Sequence, residues 1–403
     1  MVALNASTLV DTVLLKVASR CNLDCTYCYI YHMDDDGWRG QPKCMPEAVQ
    51  LATVQQLADL YTHQRKPFSV VLHGGEPLLI GVDRLRDLCS QLRSALPVPC
   101  GVHVQTNGIL LTDEIIDIFV QFDVGISISI DGPSDVHDRF RVDSRGRGSY
   151  ERVRSAISRL TAREDARPLF AGVLAVIDPS SNPSSVYTSL KATGAPSIDF
   201  LVRDGNHTRL PFGKARADST EFGCWMVELL DIYLSDPEPP RVRIFDDMLR
   251  LILGGPAQKE GVGTTDYGIL VIDTDGRINK NDTLKVAHKA ADRFEQTSWS
   301  IFSDNLFDIV RSHAYEDYYR QQRPTASACR ACPELTVCGG GMVAHRWSDD
   351  RGFDNPSVFC ADQLLLIRRM REWIAPQMVA RTANGGDYGQ HEKLERTPGV
   401  AVS

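Results

Sequence analysis

The amino-acid sequence predicts an α/β fold in which six strand–helix units curve into a partial barrel, a partial (β/α)6 TIM-like arrangement. From Thr12 to about Phe200, short β-branched runs alternate with longer helical stretches, which is the pattern of a parallel sheet with crossover helices. The chain has 403 residues. Because a single core stops growing at about 250 to 300 residues, a second, smaller domain is expected to follow the barrel.

The elements of the barrel follow one another in a regular order. Each predicted strand is short and apolar, and the stretches between strands have the composition and length of helices. The expected strands are Thr12–Ala18, Phe68–His73, Gly101–Thr106, Val124–Ile130, Phe170–Ile177 and Ser197–Leu201, and the clearest helices are Pro46–Tyr61, Val82–Leu96 and Tyr150–Ala162.

The strand pattern ends near Arg203. The next segment predicts two helices, Phe222–Leu234 and Arg243–Leu253, after which Asp275-Gly276 indicates the turn of a β-hairpin. A helix is expected near Asp362–Ile374. The predicted organisation is an N-terminal extension at 1–11, a barrel core at 12–202, a helical bridge at 203–265, a cysteine-rich domain at 266–375, and a polar tail at 376–403 with a composition typical of disorder.

Composition argues against several classes of protein. The net charge is −8, and no stripe of Lys and Arg that would suit nucleic acid occurs. No apolar run reaches the roughly 18 residues of a membrane span, and Met1–Arg20 lacks the features of a signal peptide, so we expect a cytoplasmic protein. In a reducing compartment, the 11 cysteines indicate metal binding or catalysis rather than disulfides.

Three cysteines stand close together directly after the first predicted strand. Cys21, Cys25 and Cys28 have the spacing CxxxCxxC. Thiolates are soft ligands that suit iron–sulfur clusters and zinc, and three of them leave one metal position open. The loop follows the C-terminal end of a barrel-like strand, where active sites form. A zinc knot and three merely buried thiols are the alternatives.

A glycine pair follows the second strand in the segment His73–Pro77, HGGEP. A pair of glycines lets the backbone approach a ligand closely, although an ordinary tight turn is an alternative. Together with the cysteine spacing, this segment resembles the GGEP motif of the radical S-adenosylmethionine (SAM) superfamily. The resemblance implies a [4Fe-4S] cluster on the three cysteines, with its open iron chelated by the methionine part of SAM. It also implies that Gly74, Gly75 and Glu76 hold the methionine amino group.

Further segments resemble cofactor-binding parts of the same superfamily. Ser127–Pro133 resembles its SxDG strand end, which implies that Ser129 contacts the cofactor and that Asp131 shapes the turn. The loop after it contains Arg141, which is implied to pair with the cofactor carboxylate, and a surface arginine is the alternative. The remaining implied contacts with SAM are Gln105, Asn107 and the backbone near Leu174.

A second group of cysteines stands near the C-terminus. The pattern CxxC-x5-C with a distant fourth cysteine resembles the SPASM domain and implies one auxiliary [4Fe-4S] cluster. The usual module has seven cysteines and two clusters, whereas Tyr267–Lys285 contains none and Met342 stands where a further thiol is required. A structural zinc site is the alternative. The four cysteines are Cys329, Cys332, Cys338 and Cys360.

The resemblance extends from Thr12 to about Ile374, and segments such as Tyr29–His32 and Gly352–Cys360 are most similar to the cyclophane-forming FxsB-type peptide maturases. This branch implies that a 5′-deoxyadenosyl radical takes a hydrogen from a β-carbon of a ribosomally made precursor peptide. The new radical then attacks a nearby aromatic ring, and loss of a proton and an electron leaves a carbon–carbon crosslink. Asp282 is the expected base, with a turn-capping role as the alternative.

Other activities remain open. An anaerobic sulfatase-maturating type would oxidise Cys or Ser, and a thioether-forming peptide cyclase would use the same cofactors. The alternative in which the protein is not an enzyme is a zinc-binding interaction module. The expected partners are a precursor peptide and an electron donor such as flavodoxin or ferredoxin, with no nucleic acid and no membrane.

Overall fold

The fold centres on one sheet of nine strands. The structure is a computed structural model, and it describes residues 9–33, 35–257, 259–287 and 298–383. The strands are β1 Thr12–Ala18, β2 Ser69–Gly74, β3 Val102–Thr106, β4 Val124–Ser129, β5 Phe170–Val176, β6 Ser197–Leu201, β7 Arg241–Val242, β8 Ile269–Ile272 and β9 Ile278–Asn279.

Helices connect the strands and build the C-terminal part of the chain. The α-helices are α1 Tyr29–His32, α2 Glu47–Gln64, α3 Val82–Ala95, α4 Asp113–Gln121, α5 Ser134–His137, α6 Tyr150–Ala162, α7 Pro183–Lys191, α8 Glu221–Ser235, α9 Arg243–Ile252, α10 Leu306–Val310, α11 His313–Gln321, α12 Ser327–Arg330, α13 Leu335–Cys338 and α14 Cys360–Ala383. Short 3-10 helices occur at Gly37–Gly40, Pro77–Ile80, Arg167–Leu169, Asp282–Val286 and Val343–Arg346.

Local sequence explains where some of these helices begin. The Thr112 hydroxyl accepts a hydrogen bond from the Ile115 backbone N–H and caps α4. At α7 the Asn182 side chain caps the helix, and Pro183 takes the first helical position, where a missing N–H costs nothing. None of the described helices is long and apolar enough to cross a membrane.

The strand order is β7-β6-β5-β4-β3-β2-β1-β8-β9. Neighbouring strands run parallel except β8 and β9, which form an antiparallel hairpin. The two edge strands of the described sheet, β7 and β9, are not neighbours, so the barrel is unclosed. The predicted α/β partial barrel is therefore confirmed. The lumen is filled by a small apolar cluster: Leu14, Val71, Leu174, Ile269 and Val271.

The structure adds strands that the sequence patterns did not predict as part of the sheet. In the helical bridge, β7 pairs with β6 over two residues, which is too short for an alternating pattern to be visible. The predicted hairpin joins the barrel sheet, because β8 pairs in parallel with β1 and covers what would otherwise be an open edge. Helix α14 is longer than the predicted helix Asp362–Ile374. Residues 1–8 and 384–403, in the predicted extension and tail, lie outside the described residues.

Candidate active site

A cavity of about 280 Å³ lies at the carboxyl ends of strands β1 to β6. Its walls come from the loop after β1, from the ends of the following strands, and from side chains near the C-terminus such as Met342, His345 and Phe359. Because parallel α/β folds bind ligands at this end of their strands, the position favours a functional site.

The loop after β1 places the three predicted cluster ligands on the cavity wall. All three thiols are half-buried. The loop is packed on the chain that follows β4, since the Asp24 N–H donates to the Val142 carbonyl at 2.7 Å. The Leu23 N–H points at the first sulfur, at 3.4 Å from Cys21 Sγ. The predicted ligands are Cys21, Cys25 and Cys28.

Burial controls the protonation of these thiols. It raises the pKa of Cys21 to about 12, with a further contribution from the Glu76 carboxylate, and the pKa of Cys28 to about 11. The pKa of Cys25 is raised as well, although the Arg141 charge opposes the effect of burial. The metal-free loop therefore carries neutral thiols at neutral pH, and binding of a metal must release protons.

These residues fit an iron–sulfur cluster with a free coordination position. The donors are soft, they number three, and they face a cavity rather than the protein core. A zinc ion on the same three thiolates stays the alternative.

The glycine pair after β2 is required by close packing against the start of the cysteine loop. Gly74 has a φ of +143°, and a Cβ there would lie 2.0 Å from the Ala18 carbonyl oxygen. A Cβ on Gly75 would lie 2.0 Å from the Tyr31 hydroxyl. The Gly75 N–H in turn donates to the Ala18 carbonyl at 2.9 Å. The pair thus lets the end of β2 and the cysteine loop share one wall of the cavity.

Glu76 is buried behind this wall. Its Oε1 accepts from the Thr106 hydroxyl at 2.6 Å and from the Leu78 N–H at 3.1 Å, and its Oε2 accepts from the Asn107 N–H at 2.8 Å. Burial raises the pKa of Glu76, and these three hydrogen bonds oppose the increase. The carboxylate therefore ties the end of β2 to the end of β3, and its contact with the cofactor stays a prediction.

The other predicted cofactor contacts lie at neighbouring strand ends. Gln105 Nε2 donates to Ser129 Oγ at 2.9 Å, and both residues line the cavity. Asn107 also lines the cavity, and its Nδ2 donates to Asn22 in the cysteine loop at 2.8 Å. Leu174 belongs to the lumen cluster, whereas its neighbour Val176 lines the cavity.

Arg141 is buried on the cavity wall, with 7% of its surface exposed. Its Nη1 donates to the Tyr27 hydroxyl at 2.9 Å, and that hydroxyl donates to Asp131 Oδ2 at 2.5 Å. Its Nε has no hydrogen-bond partner among the described residues. A buried guanidinium with an unused donor suits an anionic ligand such as a carboxylate.

A neutral histidine braces the loop that contains Arg141. His137 is fully buried, and its Nδ1 accepts from the Asp131 N–H at 3.2 Å. Its Nε2 is therefore the protonated nitrogen, and it donates to Ser149 Oγ at 2.9 Å. The Ser149 hydroxyl donates to the Arg141 carbonyl at 2.7 Å. Burial lowers the pKa of His137 to about 2, so the ring stays uncharged at neutral pH.

Asp282, the base expected from the sequence, is fully buried in a group of charged partners. Lys16 Nζ lies 2.5 Å and Lys285 Nζ 3.4 Å from its Oδ1, and the Tyr29 hydroxyl donates to its Oδ2 at 2.7 Å. Burial alone would raise the pKa of Asp282, but the two ammonium groups outweigh it and hold this pKa below its usual range. The carboxylate is therefore a weak proton acceptor, and its role as the base stays a prediction.

Two cavity-lining side chains have no motif in the sequence that indicates them. Arg203 is buried, and its guanidinium stacks 4.0 Å from the Phe140 ring centroid and 4.8 Å from that of Phe212. His345 is also buried, with its Nε2 3.8 Å from Asp204 Oδ1. Both come from segments far from the cysteine loop in the sequence, and so their meeting in the cavity depends on the tertiary fold.

The C-terminal cysteines, which are the predicted second site, lie at or near the ends of short helices and of α14. Two of them are buried and two are half-buried. Burial raises the pKa of Cys338 to about 12, with further contributions from Cys360, Cys329 and Cys332. Gly261, where a Cβ would lie 2.8 Å from Met342 Cγ, packs at the position of the missing fifth thiol. The four cysteines are Cys329, Cys332, Cys338 and Cys360.

Comparison with known proteins identifies the N-terminal part of this architecture. Residues 15–164 match the model of the radical SAM superfamily. A cysteine-type anaerobic sulfatase-maturating enzyme of Clostridium novyi is 21% identical over 372 residues, covering 87% of this chain and 92% of the relative. A serine-type anaerobic sulfatase-maturating enzyme of Bacteroides thetaiotaomicron is 25% identical over 361 residues, covering 82% of each chain.

The fold is also shared with a solved structure. Native anSMEcpe with bound AdoMet and Cp18Cys peptide superposes with a TM-score of 0.76 at 19% identity, covering 93% of this chain and 99% of that chain. The FxsB-type branch stays a prediction. Over residues 15–164, which include the three-cysteine loop, the chain is similar to the radical SAM superfamily, and its α/β fold is the radical SAM fold.

Proposed function

We propose that this protein is a radical SAM enzyme that oxidises a side chain of a peptide bound in the cavity. The proposal depends on one observation: three half-buried thiols, the glycine pair and Arg141 all line the same cavity. This arrangement suits a cluster with one free coordination position, beside donors for the carboxylate of SAM. When bound, the reduced cluster and SAM supply a carbon-centred radical that removes a hydrogen atom from the substrate.

The residues of the chain have distinct roles in this proposal. Cys21, Cys25 and Cys28 hold the cluster, and Gly74 and Gly75 keep the end of β2 close to the cysteine loop. At the wall, Arg141 orients an anionic group through its unused Nε–H, with the neutral ring of His137 fixing the loop behind it. On the other side of the cavity, the side chains contributed by the C-terminal region exclude water from the reacting groups.

A peptide is the proposed substrate for two reasons. Sulfatase-maturating relatives cover more than four-fifths of this chain. In addition, the anSMEcpe structure of the same fold holds the Cp18Cys peptide together with AdoMet. Oxidation of a Cys or Ser side chain to an aldehyde is therefore the first candidate reaction.

Crosslinking of a precursor peptide is the second candidate, as expected from the sequence resemblance. The sequence departs from the seven-cysteine module, because Met342 and the cysteine-free hairpin leave one four-cysteine set. Both reactions remove one hydrogen atom, one proton and one electron from the peptide. The four C-terminal cysteines are proposed to hold the iron–sulfur cluster that accepts the electron.

The test is an anaerobic incubation of iron-loaded enzyme with SAM, dithionite and one of two peptides, followed by mass spectrometry. The probes are the Cp18Cys peptide and a short peptide that contains an aromatic residue. Aldehyde formation replaces the cysteine sulfur by oxygen. A crosslink removes two hydrogen atoms and suppresses fragmentation between the joined residues, and a thioether additionally removes a thiol that can be alkylated. Iron-loaded enzyme that releases no 5′-deoxyadenosine would contradict the proposal.

A further inference from the structure

Glu260 has one carboxylate oxygen that is held and one that is available. It is half-buried on the cavity wall. Its Oε1 accepts from Asn281 Nδ2 at 2.7 Å and from the Tyr318 hydroxyl at 3.3 Å. Its Oε2 is buried and has no hydrogen-bond partner within the described part of the chain. The carboxylate is thus fixed in orientation while one oxygen can still accept a proton.

Asp282, the base expected from the sequence, offers no comparable oxygen. Lys16 and Lys285 contact its Oδ1, and Tyr29 donates to its Oδ2. A proton arriving at Asp282 would have to disrupt an ion pair with two buried or half-buried ammonium groups. A proton arriving at Glu260 displaces no partner from Oε2.

Burial favours proton uptake by Glu260, whereas its hydrogen-bond donors and the nearby cations oppose it. Burial raises the pKa of Glu260 to about 7, and the hydrogen bonds from Asn281 and Tyr318 oppose the increase. Lys259 and Arg346 are the cations near it, and Lys259 is already paired with Asp199 at 2.7 Å. A base titrates most usefully when its pKa lies near the working pH. The tyrosines that face the carboxylate are Tyr267, Tyr315 and Tyr318.

A route from Glu260 toward solvent exists on its other side. Glu260 also lines a small outer cavity of about 20 Å³. A space of this size holds one water molecule, since about 10 to 15 Å³ of probe volume is needed. The same cavity is lined by Asp266 and Arg323, which form an ion pair at 2.8 Å near the surface. Glu260 therefore lines both the reaction cavity and a smaller space with polar walls.

We propose that Glu260 accepts the proton that the peptide substrate loses after hydrogen-atom removal, and passes it outward through the small cavity. The proposal rests on the proposed function. In aldehyde formation, the S–H or O–H bond of the side chain breaks, and the carbon that has lost a hydrogen atom forms a double bond to that sulfur or oxygen. Serine gives the aldehyde directly, whereas the thioaldehyde from cysteine reacts with water to give the aldehyde and hydrogen sulfide. In crosslinking, a carbon–carbon bond forms to the aromatic ring, and a ring C–H bond then breaks. In both cases one proton goes to Glu260 Oε2 and one electron goes to the iron–sulfur cluster of the C-terminal cysteines.

The activity test compares E260Q with D282N, using the peptide that the wild-type enzyme converts. Gln keeps an acceptor for Asn281 but does not take up a proton. We expect E260Q to release 5′-deoxyadenosine within about twofold of wild type while its peptide product falls by about 100-fold, in the range for loss of a general base. In wild type, the amount of peptide product formed per 5′-deoxyadenosine should rise with pH through about 7. E260D should recover part of the wild-type product yield. E260Q should show no such rise with pH.

The proposal would be overturned in favour of Asp282 if E260Q kept the wild-type amount of peptide product per 5′-deoxyadenosine and its pH profile, while D282N lost that product. A second readout is independent of turnover. Infrared difference spectra of the cluster-loaded protein without peptide should show a carboxylic acid band that titrates near pH 7 and is absent in E260Q. An unchanged band pattern in E260Q also overturns the assignment. Wild-type enzyme that releases no 5′-deoxyadenosine would instead overturn the proposed function, and with it this step.

Discussion

The two cysteine sites of this protein differ in how many thiols they contain and in what those thiols face. Cys21, Cys25 and Cys28 are all half-buried and line the large cavity. In the C-terminal site, by contrast, Cys329 and Cys338 are buried. Three thiolates on a cavity leave a metal position for a ligand, whereas four thiolates complete their own coordination. The same donor atom is therefore predicted to serve a reactive site in one region and a closed site in the other.

The two sites are also held in different ways. The first lies in a loop that is tied to strand ends by backbone hydrogen bonds and by the glycine pair. The second is built on helix ends: Cys338 ends α13, and Cys360 begins α14. Gly339 follows α13 in the left-handed region, where a Cβ would lie 2.0 Å from the Gly263 carbonyl oxygen. Loss of a thiol should thus affect chemistry at the first site, and both fold and electron transfer at the second.

The largest expected effect is that of Cys28→Ser, which removes one of the three ligands of the open site. A serine hydroxyl is a hard, weakly acidic ligand, so we expect the first cluster to be lost and 5′-deoxyadenosine release to fall to background. Bound iron should fall by about half, since one of two four-iron clusters is removed. Product chromatography and iron analysis check this, with C224S at an exposed position of α8 as the matched control. Continued cleavage of SAM by C28S would contradict the assignment of the open site.

A smaller effect on SAM cleavage is expected from Cys338→Ser. The first site stays intact in this variant, so 5′-deoxyadenosine release should remain within about threefold of wild type. Peptide product should fall at least about 10-fold, because the electron has lost its acceptor. Loss of a bound cluster also removes folding free energy, and we expect the melting temperature to fall by about 5 °C or more. Calorimetry and product analysis measure both, and a C338S enzyme with full product yield would show that the closed site is not needed for oxidation.

The same comparison shows what the sequence predicts well. Local spacing defines both cysteine sets, and the strands Thr12–Ala18 and Ser197–Leu201 and the helix Tyr150–Ala162 have the predicted bounds. Each of these features depends on residues that are close together in the chain. A contiguous pattern is therefore sufficient to find them.

The features that the sequence did not reveal depend on contacts between distant segments. The carboxylate of Glu260 is oriented by hydrogen bonds from Asn281 and from Tyr318 on α11, and no spacing pattern in the sequence connects these residues. Asp282 was identified by its position in the chain, but its low pKa comes in part from Lys16 on β1, 266 residues away. Burial and ion pairing of this kind are fixed only when the sheet and the C-terminal region pack together.

The smallest predicted effect concerns the buried polar side chains beside the two sites and how they change stability with pH. Each site has a buried polar side chain beside it. Near the second site this is Arg346, which is charged, and near the first site it is His137, which is neutral. Burial holds the pKa of His137 near 2, far below its usual value of 6.5. Above pH 6.5 the ring is neutral in both the folded and the unfolded chain, so it adds no pH dependence. Below pH 6.5 the unfolded chain takes up a proton that the folded chain does not, and stability is lost by about 1.4 kcal/mol per pH unit.

Substitution of the histidine removes this acid sensitivity and costs the two hydrogen bonds of the ring. H137Q should therefore be less stable than wild type at pH 7.5, by about 1 to 3 kcal/mol, and the difference should shrink by about 1.4 kcal/mol per pH unit as the pH falls below 6.5. Urea unfolding followed by tryptophan fluorescence at several pH values measures this difference. S149A is the matched control, because it removes the partner of His137 Nε2 without removing a titrating ring, and its difference from wild type should not change with pH. A stability difference between H137Q and wild type that does not change with pH would show that His137 is charged in the folded protein below pH 6.5. The loop that contains Arg141 would then have a buried cation behind it, as the second site has in Arg346.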